Sequence, residues 1–170
     1  MAGVSGVGKS TLCRRIADAA GLPYTEIDAL YHGPGWVPLP TFEADVLAFS
    51  AASEWVTEWQ YSSVRSVLAA RAELLVWLDY PASVALWRVV TRTIRRSRTR
   101  EVLWNGNVEP GMLNALFAKE GIIRWAITTR SRYPKRVPEA VRDNPGLELV
   151  RLRSQRETDA WVASLRKLRS

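Results

Sequence analysis

The 170-residue chain holds one cysteine, Cys13, and one histidine, His32. A lone cysteine excludes an internal disulfide framework, and the reading is a cytosolic protein with a buried thiol on the inner side of the first helix. A single histidine with no second histidine or cysteine at ligand spacing speaks against a zinc-type centre, and His32 reads as an exposed loop residue. No apolar run approaches the ~18 residues needed to cross a membrane, and no basic-then-apolar leader opens the chain. Acid is scarce in one place. Residues 80–136 hold twelve Lys/Arg and three Asp/Glu, a net of +9; the remainder holds twelve and fourteen, a net of −2, which together give the +7 of the whole chain. A basic segment in an otherwise near-neutral protein points to a local anionic partner, either the phosphates of a nucleotide or a nucleic-acid backbone.

What is present is a phosphate-binding pattern at the very start. GVSGVGKST, Gly3 to Thr11, fits G-x-x-x-x-G-K-[ST] with Gly3, Gly8, Lys9 and Ser10 at the fixed places. Four constrained positions match by chance on the order of one per cent of the time or less. Backbone N–H groups of Ser5, Gly6, Val7, Gly8 and Thr11 are placed to cradle phosphates. Lys9 reaches the β- and γ-phosphates, and the Ser10 hydroxyl ligates Mg²⁺. After the motif, Leu12, Ile16 and Ala19 make an apolar stripe, and Gly21 and Pro23 end the helix. Only Met1 and Ala2 precede Gly3, so the first strand is expected to be a stub. The chain is expected to be less stable than a version with a full strand there.

Further along, PYTEID and WVTE read as short strands, and residues 29–40 as a Gly/Pro loop. Thr41 caps a helix through Phe42, Val46 and Phe49; Tyr61 to Ala72 reads as a helix; LLVWLD is the clearest buried strand. Ala82 to Arg96 is predicted helical, with Val84, Trp87, Val90 and Ile94 on its core face and Arg88, Arg92 and Arg95 on another. A polar segment follows, then a helix over 112–132, a strand over 147–152 and a helix from Gln155 to Leu168. Alternating strands and helices predict an α/β protein with a parallel sheet covered on both faces, in one domain over 1–170. Ligands of such sheets lie beyond the carboxyl ends of the strands, where Asp28, Glu58 and Asp79 are expected to converge. Tryptophans 55, 77, 87, 125 and 161 are expected in the core, Trp36 either on a substrate or pinning its loop, and Arg151, Arg153 and Arg156 at the surface.

The loop GVSGVGKST, with EIDAL, HGPGW, WVTEWQYSSVR, VWLDYP, WRVVTRTIRRSRTREVLWNGN and IIRWA, resembles bacterial adenylate-kinase-like P-loop proteins, often labelled topology-modulation proteins or small-molecule kinases. The resemblance implies a P-loop nucleoside/nucleotide-kinase-like three-layer sandwich with a five-stranded parallel sheet, its first strand truncated, and an arginine-rich lid over 95–111. It implies ATP and Mg²⁺ as cofactors and a small-molecule phosphate acceptor as partner. Lys9 becomes the γ-phosphate contact. Asp28 either positions an acceptor hydroxyl or helps hold the hydrated metal. Glu58, Tyr61, Arg65, Arg88 and Arg92 fall on the substrate side. Arg98 or Arg100 reaches the phosphates from the lid, and Arg124 enters from the following helix. Where the resemblance implies a glycine after Glu58, this chain has Trp59, which would narrow the acceptor pocket or offer a stacking platform. The expected activity is phosphotransfer from ATP. The alternatives are a nucleotide-dependent regulator that binds nucleic acid through the basic segment, and a nucleotide binder without turnover.

Overall fold

The computed structural model describes residues 1–99, 102–108 and 132–167. Its spine is a parallel ladder of β1 (Leu74–Leu78) and β2 (Glu148–Leu152), in register from Leu74 opposite Glu148 to Leu78 opposite Leu152. β1 forms because LLVWL is apolar at every position, as suits a strand covered on both faces. Against its other edge lies Ala2, whose N–H donates to the Val76 carbonyl at 2.8 Å and whose carbonyl accepts from Leu78 at 2.9 Å. Met1 continues outward by accepting from the Trp59 N–H at 2.7 Å, and Val56 bridges in parallel to Tyr24. Among the described residues the expected five-stranded sheet is therefore one two-stranded ladder, with the segments at 1–2, 24 and 56 joined by single bridges. Between Tyr24 and Val56 one reason is plain: the chain turns into a helix at Ile27 before a ladder can grow.

The helices are α1 (Lys9–Ala20), α2 (Ile27–Tyr31), α3 (Phe42–Phe49), α4 (Arg65–Arg71), α5 (Ala82–Thr99), α6 (Tyr133–Asp143) and α7 (Gln155–Lys167). α1 buries Leu12, Cys13, Ile16 and Ala19 and ends at Gly21 in the left-handed region, as its sequence predicts. Burial pushes the Cys13 thiol up to about 12. Two readings need correction, and one helix has no counterpart among the sequence expectations. Residues 27–31 are helical, so Asp28 sits in the first turn of α2 and not at a strand end. Trp87 is 69 % exposed, because α5 packs through Ala85 and Val89 against the loop and turns the 87/90 stripe outward. α6 was not anticipated: Pro134 and Pro138 argue against a helix, yet Pro134 stands in the first turn, where no N–H is needed. The helix expected over 112–132 lies outside the described residues. No helix among the described residues is long and apolar enough to cross a membrane.

Two apolar clusters flank the spine. One joins Ala2, Ile27, Phe42, Trp59, Leu68, Trp77 and Val137; the other joins Val7, Leu12, Cys13, Val76, Leu78, Ala85 and Val162. Trp59 belongs to the first, 5 % exposed, with its indole N–H on the Arg65 carbonyl at 2.9 Å. It is a core residue, not a platform in the cleft.

At the other end of the spine a groove of about 570 Å³ opens beside Met1, walled by Trp55, Val56, Thr57, Leu74 and Val76. The Met1 ammonium lies buried at its head, donating to the Thr57 carbonyl at 2.8 Å. Burial lowers its pKa below the ordinary 8.0. The folded state then binds this proton less well than the unfolded one, so stability rises with pH from the lowered value up to about 8. Four β-branched apolar residues fused ahead of Met1 are expected to replace the ammonium by a paired amide and fill the groove. The melting temperature should rise by roughly 4 °C or more, and the pH slope below 8 should flatten. Calorimetry across that pH range checks both.

Candidate functional site

The phosphate loop leaves β1's neighbour Ala2 and closes into α1 within six residues. Such a turn needs backbone angles open to glycine. Gly6 has φ 76° and Gly8 φ 107°. A Cβ on Gly6 would collide with the Val89 side chain and stand 2.9 Å from the Ala85 carbonyl; one on Gly8 would stand 3.1 Å from the Arg88 guanidinium. The loop is thus held against α5 by backbone contact. Arg88 completes the joint, donating from Nη1 to the Val7 carbonyl at 2.6 Å and from Nη2 to Gln155 at 2.8 Å, over the Tyr80 ring.

Lys9 is 8 % exposed, and its ammonium donates to the Val4 carbonyl at 3.2 Å, inside the curve of the loop. Burial holds its pKa below the ordinary lysine value; Asp28 and Glu58 oppose that shift, and Arg92 adds to it. Around it opens a cleft of about 710 Å³. Its floor is Ser5, Gly6, Val7, Gly8, Lys9, Ser10 and Thr11, with Arg14 and Arg15 from α1, Arg88, Arg92, Arg95 and Arg96 from α5, and Glu26, Asp28, Gln60 and Trp104 on the remaining walls. Arg14 pairs with Glu26 at 2.9 Å and Arg15 with Asp159 at 2.7 Å. The arginine stripe of α5 therefore faces the loop, an arrangement that favours an anion strongly.

Asp28 is oriented by two donors on one oxygen. Gln60 Nε2 lies 2.5 Å and the Tyr61 hydroxyl 2.6 Å from Oδ1. Tyr61 takes φ 60°, unusual for a non-glycine residue, and stacks on Tyr31 at 4.1 Å. Burial first, then its bond to Asp28, raises the Tyr61 pKa. Glu58 lies elsewhere: it is 1 % exposed and inside the protein, accepting from the Tyr24 hydroxyl at 2.7 Å and the Ile27 N–H at 3.2 Å. It anchors the start of α2, and through it Asp28. Asp79 pairs with Arg151, at 2.9 Å from its Nε, which lies over Trp77; neither lines the cleft. Of the three carboxylates expected to converge, Asp28 alone walls the cleft.

Across the mouth, two loops of the same design meet. His32 bridges Pro38 and Val102 bridges Val108; each loop closes by an N–H to the carbonyl four residues on, Gly33 to Val37 and Leu103 to Asn107. The buried Asn107 side chain reads the opposite backbone at both ends, accepting from the Trp36 N–H at 3.1 Å and donating to the Gly33 carbonyl at 2.8 Å. His32 and Trp104 stack, and Trp36 packs edge-on to both. His32 is accordingly a packed residue, and Trp36 pins its loop. Sequence reasoning passed over Gln60, Asn105 and Asn107; the paired GPG and NGN turns were the available signal. Arg98 is described only as an exposed residue near the end of α5; Arg100 and Arg124 lie outside the described residues.

No family model matches the chain. A solved structure does match over nearly the full length. A gluconokinase from Sinorhizobium meliloti 1021 aligns over 98 % of this chain and 91 % of its own, with 24 % identity and a TM-score of 0.52. The two chains share a fold. Cytidylate kinases from two strains of Nitratidesulfovibrio vulgaris, DP4 and Hildenborough, are 50 % identical over 34 residues, 20 % of this chain. The matched segment spans 15 % of those kinases' length.

The joint between loop and α5 makes Gly6 the sensitive position. Gly6→Ala is expected to destabilise by about 2–3 kcal/mol, combining backbone strain with overpacking against Val89. Gly35, φ 69°, has no atom within 4 Å of an added Cβ, so Gly35→Ala should cost only about 1 kcal/mol. Urea titration of the two variants measures the difference.

Proposed function

We propose that the protein is a P-loop kinase that moves the γ-phosphate of Mg-ATP to a small hydroxyl- or phosphate-bearing acceptor. The observation that carries this reading is Lys9, buried inside a glycine loop and facing a cleft walled by arginines and one oriented carboxylate. The gluconokinase fold and the cytidylate kinase segment support it. The cradle suits a phosphate chain: a Cβ on Gly6 would meet Val89 and the Ala85 carbonyl and one on Gly8 the Arg88 guanidinium, so the loop presents bare backbone at both places.

In this reading Lys9 binds the β- and γ-phosphates as a point charge, leaving the Val4 carbonyl. Ser10 would hold Mg²⁺, which would supply positive charge to offset that of the phosphates. Arg88, Arg92 and, from the end of α5, Arg98 offset the charge that develops on the transferring group, Arg88 while still bracing the loop. Asp28 accepts the proton of the attacking hydroxyl at its Oδ2 side, because Gln60 and Tyr61 occupy Oδ1. Arg100 and Arg124 add further positive charge for the phosphates in this reading, and Trp104 helps exclude water over the acceptor side. Aligning the reactants supplies most of the acceleration.

Lys9→Ala is expected to lower transfer of labelled γ-phosphate by at least 10³-fold while the folded signal persists. Transfer from Mg-ATP to a panel of nucleosides, nucleoside monophosphates, sugars and sugar acids measures it. A folded Lys9→Ala protein that transfers as well as the parent would sink the reading.

A further inference from the structure

A circuit of side chains ties the phosphate loop to the helix it enters by way of two other helices. Arg88 of α5 holds the Val7 carbonyl and, from Nη2, the Gln155 amide oxygen at 2.8 Å. Gln155 Nε2 donates onward to Asp159 at 2.9 Å, and Asp159 takes Arg15 of α1 at 2.7 Å. Loop, α5, α7 and α1 are thereby joined end to end. Donor and acceptor chemistry leaves no choice at the middle link. Arginine only donates and an ionised carboxylate only accepts, so a residue between Arg88 and Asp159 must do both. Gln155 does, and Asp159 fixes which way its amide faces.

The same turn of α7 holds the ring on which Arg88 rests. The guanidinium lies over Tyr80 at 5.3 Å, and the Tyr80 hydroxyl is bonded at 2.5 Å to Thr158, which is buried. Gln155, Thr158, Tyr80 and Arg88 all border the cleft of about 710 Å³. What Arg88 does there follows from the peptide it grips. A trans peptide is planar, with its carbonyl and the following N–H pointing opposite ways. Holding the Val7 carbonyl toward α5 therefore turns the Gly8 N–H away from α5. Glycine resists few backbone angles, so this plane is set by the bond to Arg88 and not by the residue itself.

We propose that Gln155 is a positioning residue for nucleotide binding. It keeps Arg88 on the Val7 carbonyl, and so sets the Gly8 N–H that a phosphate in the loop meets. This rests on the reading of the loop as a nucleotide site. Gln155 need touch no phosphate; it acts through the arginine.

The test is titration calorimetry with Mg-ADP in a double-mutant cycle. Gln155→Ala is expected to weaken Mg-ADP about five-fold or more. Arg88→Ala should weaken it further. Adding Gln155→Ala to Arg88→Ala should then change nothing, because the route from α7 is already cut. If Arg88→Ala does not fold, Arg88→Lys, which has no fork to span two acceptors, carries the same cycle. Ser164→Ala, further along α7, should bind as the parent does. Unchanged affinity in Gln155→Ala, an equal loss with and without Arg88, or a parent that takes up no Mg-ADP would overturn the assignment. The first two outcomes leave the kinase reading standing, and a failure of phosphate transfer with the binding cycle as expected bears on that reading alone.

Discussion

Two hydrogen bonds at Ala2 hold the whole arrangement together. One amide donates to Val76 and one carbonyl accepts from Leu78, and through them the phosphate loop is hung on the carboxyl end of the most buried strand. Ala2 is fully buried, so the pair is shielded from water and from exchange with it. The loop's other support is α5, whose Arg88 grips the Val7 carbonyl from the opposite side. Ala2 fixes the loop to the ladder, and Arg88 adds its hydrogen bond to the contact that Gly6 already makes with Ala85 and Val89 of the arginine helix. The cleft exists because the two supports meet within six residues.

The second constraint is electrostatic. Lys9 and Arg65 are each held below their ordinary pKa, chiefly by burial and partly by neighbouring arginines. A protein selected for stability alone would pair these charges with carboxylates or exchange them for apolar side chains. Here Glu58, the fully buried acid nearby, is spent on Tyr24 and the Ile27 amide, and Asp28 on Gln60 and Tyr61. The acids orient structure, and neither makes a hydrogen bond with Lys9, whose ammonium donates to the Val4 carbonyl.

The loop, the stripe of α1 and the strand LLVWL were legible because each is decided locally: glycine angles, a 3.6-residue period and an unbroken apolar run act over a few residues. Asp28 was rightly placed near the loop but wrongly at a strand end, since five residues of helix after Glu26 carry no periodicity to read. Trp87 was misplaced for a different reason. An amphipathic helix with arginines on one face and large apolar groups on another normally buries the second, but close approach to Gly6 admits only Ala85 and Val89. Tertiary contact with a glycine loop overrode the pattern. Asn107 could not have been found from polarity, because its value lies in a partner loop seventy residues earlier.

That partnership has a mechanical meaning. The 102–108 loop follows the end of the arginine helix, and the 32–38 loop follows the helix of Asp28. Clasping them by Asn105, Asn107 and the His32–Trp104 stack ties the phosphate-facing wall to the carboxylate wall. Neither wall can then move outward alone: displacement of α5 pulls on His32, and through Tyr61, whose hydroxyl lies 3.3 Å from His32 Nε2, on Asp28 itself. A buried asparagine that satisfies two backbone groups across an interface costs its desolvation if the loops part, so the clasp opens as a unit or stays shut. The position of Asp28 is in this way linked to the packing of the 102–108 loop against the 32–38 loop.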